Sequence, residues 1–181
     1  MPLLLAFLPF IAFAAASSLG YPLTGLCLAA GVAACSLAHA ATRPVRRVRI
    51  LDVGTVVLFA GVACVVALRG QALAISLTRA IVDAGLSLVI VATVALGRPF
   101  TRDFAPPAAA LVPGRQRAYR ITSLAWAAAF AVFVAVDLAL WRDMLTARQA
   151  TLAIVGVGFA SYRFSRWYVT RGVRPRPRPA P

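Results

Sequence analysis

The chain has 181 residues, 61% of them hydrophobic and 13% charged, with 19 basic residues against 5 acidic ones and a net charge of +14. Soluble globular domains carry about 25% charged residues, so an ordinary water-solvated surface is excluded, and the apolar excess lies in long runs of the kind that cross membranes. The arginines fall between those runs and in the tail, not on one face, which assigns the charge to membrane topology and away from nucleic acid.

The first run, residues 3–19, is closed by Gly20, Tyr21 and Pro22. Ala14 to Ser17 resembles a signal-peptide cleavage site, but the start lacks the positive charge such peptides carry, so the run reads as an uncleaved span bent at Pro9. The second run, 23–41, is followed by Arg43, Arg46, Arg47 and Arg49. The third covers 50–68 and stops at Arg69-Gly70. The fourth, 72–97, contains Arg79 and Asp83 and stops at Arg98-Pro99, where proline cannot continue a regular helix. Residues 102–116, with Pro106, Pro107, Pro113 and Gly114, read as an extended loop. The fifth run covers 118–140. The sixth, 146–164, has the shortest uninterrupted apolar part. Residues 172–181 form a basic, proline-rich tail expected to be extended polyproline II.

Crossing ~30 Å of hydrocarbon takes ~20 helical residues, so the expected fold is an all-α, polytopic transmembrane bundle of six spans within a single domain, 1–171. The second and fourth connections and the C-terminal end hold four, five and six arginines, whereas the first, third and fifth connections hold none, one and two. Arginine-rich connections stay on the cytoplasmic side, which predicts N-in, C-in topology. Tyr21 and Trp141 then fall at the outer boundary, and Tyr119, Trp167 and Tyr168 at the inner one, as an aromatic belt. An arginine-only basic set, with no lysine, fits a bacterium with a GC-rich genome and a place in its cytoplasmic membrane.

Ionisable residues inside spans are functional candidates. Arg79 and Asp83 share a face at i, i+4, and Asp137 lies at a comparable depth on the fifth run, so the three are expected to form an outer-leaflet polar cluster. It serves either as an ion or proton path or as a packing device. Arg98, Pro99, Phe100, Arg102 and Phe104 form a cytoplasmic interface motif in which the phenylalanines dip into headgroups and the arginines meet anionic lipid or a docking partner. Gly54, Gly61, Gly156 and Gly158 would permit close helix approach, and homo-oligomers are open on that ground. Cys27, Cys35 and Cys64 lie in apolar runs without metal-ligand spacing and are read as small packing residues. His39 and the scattered serines show no nucleophile-base pairing, so no catalytic residue, cofactor or metal is assigned, and an enzyme is not expected.

The order of features resembles the bacterial intracellular septation protein A family, the inner membrane-spanning YciB-like proteins. The resemblance rests on Phe7-Leu8-Pro9-Phe10, the basic connection after the second run, and Arg98-Pro99-Phe100 after the fourth. It continues through Leu111-Val112-Pro113, Tyr119 and the string from Ser123 to Phe130, and covers about residues 3–171. It implies a cytoplasmic-membrane protein acting in septation and envelope maintenance through contacts with division and elongation proteins, and it implies no catalytic residue. A scaffold is therefore the leading expectation. A small transporter or channel using Arg79, Asp83 and Asp137 is the second.

Overall fold

The computed structural model describes residues 8–42, 50–70, 73–105 and 115–171. The arginine connection 43–49, the prolines of 106–114, Phe7 and the tail 172–181 lie outside the described residues. Helices account for nearly all the rest: α1 (Leu8–Ser18), α2 (Pro22–Ala41), α3 (Ile50–Arg69), α4 (Ile75–Ala95), a 3-10 turn (Phe100–Phe104), α5 (Arg115–Trp141) and α6 (Ala147–Arg171). Each α-helix falls on one of the apolar runs.

Local sequence sets the helix ends. After α1 the Tyr21 N–H donates to Ala16 O and the Gly20 N–H to Ser17 O, with Gly20 at φ +88. The same pair of bonds closes α4, from Arg98 to Thr93 O and from Gly97 to Val94 O, with Gly97 at φ +71. This is the Schellman termination, and its left-handed residue suits glycine because no Cβ is present to clash. α5 ends on the same pattern, Met144 to Ala139 O and Asp143 to Leu140 O, but the left-handed residue there is Asp143 at φ 58. α6 opens on a capping box: the Gln149 N–H donates to Thr146 Oγ1 and the Thr146 N–H to Gln149 Oε1.

Four helices are long and apolar enough to cross a membrane: α2, α3, α4 and α5. The protein is thus all-helical in its described part and carries the marks of a helical membrane protein. α1 is a shorter apolar helix of 11 residues. α6 has 25 residues, but Arg148, Arg163 and Arg166 interrupt its apolar character, in keeping with the weaker sixth run.

Neighbours in sequence pack side by side, α1 with α2, α2 with α3, α3 with α4, α4 with α5 and α5 with α6. Aromatic rings tie them across the centre. Phe10 of α1 lies 5.2 Å from Phe59 of α3 and 6.5 Å from Phe130 of α5, centroid to centroid, and Phe130 meets Phe133 edge-on at 5.4 Å. Leu26, Leu86 and Ile90 complete the buried centre. On α6, Ala150, Ile154 and Val157 recur at helical spacing; Ala150 is buried, and Ile154 and Val157 pack against the core.

Of the glycines expected at close helix approaches, Gly54 is at one, joined by Gly25 and Gly85, which the sequence did not single out. A Cβ on Gly54 would lie 2.8 Å from Val89 Cγ1, and one on Gly85 would run into Leu58, so α3 and α4 interlock through one glycine each. Gly25 fits against Ala16 and Ser17 of α1 in the same way. Gly61 and Gly156 instead face open space, and Gly158 has only ordinary contact with Phe133. The three cysteines are also placed differently from expectation. They are exposed on the outside of α2 and α3, because the buried stripes of those helices are taken by Leu26, Ala29, Phe59 and Val62.

Candidate functional site

The polar chemistry of the bundle collects along the α4–α5 contact, which is antiparallel. Arg79 meets Asp137, Ser87 Oγ donates to Ala127 O at 3.1 Å, and Gln116 Nε2 donates to Gly97 O at 2.8 Å. Residues 79, 83 and 87 follow at i, i+4 spacing, so α4 presents one polar stripe to its partner. From Tyr119 to Asp137 the helical rise is ~27 Å, close to the ~30 Å of a hydrocarbon layer. Two polar clusters therefore lie at opposite ends of one helix pair.

At the first end, Arg79 Nη2 lies 3.3 Å from Asp137 Oδ1. The Asp137 side chain is 0% exposed and that of Arg79 30%. Neither Asp137 oxygen makes a hydrogen bond of good geometry, so the ion pair alone offsets the burial of the carboxylate. Asp83, half-buried one turn along α4, makes no hydrogen bond or ion pair with a described residue, and it interacts electrostatically with both Asp137 and Arg79. The structure thus brings together the three residues singled out from the sequence. The arrangement can hold charge at depth, because burying an ion pair costs several kcal/mol per ion unless the partner stays close.

The second end is built on the turn after α4. Pro99 is buried and directs the chain across the end of α5. Thr101 Oγ1 donates to Tyr119 O at 2.9 Å and lies 2.9 Å from Ser123 Oγ and 3.1 Å from Thr122 Oγ1. Thr122 Oγ1 bonds back to Ala118 O at 2.9 Å, and Ser123 Oγ accepts from the Thr101 N–H at 3.4 Å. A threonine hydroxyl has one proton to give and two lone pairs, and here it links the turn to a full turn of α5.

Two expectations for this motif are corrected. Phe100 was placed in the headgroup region, yet it is 2% exposed and belongs to the core, with half-buried Phe104 edge-on against it at 6.1 Å. The hydroxyl network pulls the turn inward and carries Phe100 with it. Tyr119 was placed in the aromatic belt but is 2% exposed, on the stretch of α5 to which Thr101 bonds. Arg98 is exposed and Arg102 half-buried. Tyr21, Trp141 and Trp167 remain exposed.

Sequence reasoning passed over Ser87, Thr101, Gln116, Thr122 and Ser123. Short hydroxyl side chains inside apolar runs carry little signal on their own, because the same residues satisfy themselves on their own helix, as Thr55 does on Leu51 O and Thr93 on Ile90 O. No family model, curated protein or solved structure matches the chain.

Proposed function

We propose that the chain is an integral scaffold of the bacterial cytoplasmic membrane, with six spans and both termini inside, acting without catalysis in septation and envelope maintenance through contacts with division and elongation proteins. The reading of six spans adds α1 and α6 to the four long apolar helices, and alternation of arginine-rich connections sets their direction. One observation carries the scaffold reading. Thr101, Gln116 and Ser87 spend their polar groups fastening α4 and the turn after it to α5. Such fastenings hold a bundle in one shape and leave its outer faces for lipid and partners.

Reporter fusions in the 98–120 connection and in the turn after α5 test the topology, and export of the former refutes it. Mid-cell enrichment of a fluorescent fusion, with filaments or envelope defects on deletion, is the outcome expected of the scaffold. Uniform distribution with normal division refutes it. A second reading, a small transporter or channel, is favoured by the fully buried carboxylate of Asp137. Flux in liposomes that Asp83→Asn abolishes would decide for transport, and no flux from the wild type would decide against it.

A further inference from the structure

The cluster at the first end of the α4–α5 pair is out of charge balance. One guanidinium faces two carboxylates, so with all three groups ionised the site carries a net −1. In hydrocarbon an uncompensated charge costs several kcal/mol. The inference rests on the membrane reading above, because in water this imbalance would carry almost no cost.

Among the described residues, the neighbouring elements offer no second buried cation. At this end α3 contributes Arg69, the α5–α6 turn Arg142 and Asp143, and α6 Arg148, and all four are exposed. Asp52 opens α3 at the opposite end of the bundle, where Arg102 and Asp103 of the turn after α4 also lie, so none of these stands near the cluster. Among the described residues, the charges that act on Asp83 are those of Asp137 and Arg79. Asp137 is committed to Arg79 at 3.3 Å, and its two oxygens, fully buried, have no hydrogen-bond donor. That leaves Asp83 as the group able to restore neutrality.

We propose that Arg79, Asp83 and Asp137 form a single-proton binding site, with the proton held on the Asp83 carboxyl while Arg79 pairs with Asp137. The step is a plain protonation, a carboxylate oxygen gaining one O–H bond, with no other bond made or broken. The site is then neutral overall. Loss of that proton leaves two carboxylates competing for one guanidinium, and Asp83 can compete because it sits one turn along on the arginine's own helix. Deprotonation therefore draws Arg79 away from Asp137 and unfastens α4 from α5 at this end, making the site a proton-controlled clasp.

The test is infrared spectroscopy of the full-length protein in lipid vesicles, titrated by pH in sodium-free and sodium-containing buffer. The expected result is one protonated carboxyl band per chain at neutral pH, lost at alkaline pH, lost in Asp83→Asn and kept in Asp83→Glu. Asp83→Asn retains the Arg79–Asp137 pair and is expected to fold, and Asp83→Glu with the wild-type titration keeps the test decisive if it does not. No protonated carboxyl in the wild type, a band unchanged in folded Asp83→Asn, or a band that sodium removes at fixed pH would each overturn the proposal. Failure of the membrane reading shows separately, as loss of the chain from the vesicles on alkaline washing.

Discussion

Replacing Thr101 by valine tests the fastening of the turn to α5 with almost no change of shape. The substitution deletes the hydroxyl that donates to Tyr119 O at 2.9 Å and lies 2.9 Å from Ser123 Oγ, while the Thr101 N–H to Ser123 Oγ bond survives. A protein hydrogen bond is worth about 1 kcal/mol net, and the measured average between membrane helices is nearer 0.6 kcal/mol. Two bonds lost therefore predict a destabilisation of about 1–2 kcal/mol. The Tyr119 carbonyl lies within α5, where it can still accept an intrahelical bond, and Ser123 can turn its hydroxyl back onto its own helix, so larger values are not expected. Reversible unfolding in mixed micelles with increasing denaturing detergent gives the stability. Ser123→Ala and the double variant complete a cycle whose coupling should reach about 0.5 kcal/mol or more. Strict additivity, or a Thr101→Val protein as stable as wild type, would refute the account of the turn as a fastening and leave it a passive connection.

Further outcomes are expected in the same assay. Gly54→Ala should destabilise by about 1–3 kcal/mol, because the added methyl meets the stiff, branched Val89. Gly61→Ala, facing open space, should be neutral or stabilising by up to about 1 kcal/mol from helix propensity, and equal effects at the two sites would sink the interlock. Asp137→Ala should cost about 1–3 kcal/mol, below the ~3–5 kcal/mol typical of a broken buried pair, because Arg79 is partly exposed and Asp83 is within its reach. The double change Arg79→Met with Asp137→Leu should recover most of that loss, and a double variant as unstable as the single one would show that the pair itself is not the cause. Asp143→Gly should stabilise by up to about 1 kcal/mol, since Asp143 occupies a left-handed position at φ 58, and a loss of stability would mean that its side chain does more than fill the turn.

Much of the fold was legible because hydrocarbon-length apolar runs admit few structures, and their ends are punctuated by residues with narrow backbone preferences. Gly97 followed by Pro99 marks the end of α4, and Thr146 with Gln149 marks the start of α6. The charged pair was equally legible: Arg79 and Asp137 stand out because charges inside apolar runs are rare, and their depths agree. What the sequence hid was where along a helix face a neighbour comes close. Gly54 and Gly61 are seven residues apart and only about 20° from the same face, yet one meets Val89 and the other open space, because the contour of the neighbouring helix decides the contact. Phe100 next to two arginines reads as an interfacial residue until Thr101 is seen reaching α5, a contact separated by 18 residues that no local pattern announces.

The separation of the two polar clusters along α5 gives the helix pair the mechanics of a lever. With Thr101 and Gln116 intact, the turn end acts as a pivot. If the far end lets go, α4 swings about that pivot without sliding past its partner. Over an arm of ~27 Å, a tilt of about 10° carries the free end by about 5 Å. That is roughly the width of one side chain, enough to open a gap where Asp137 is now sealed.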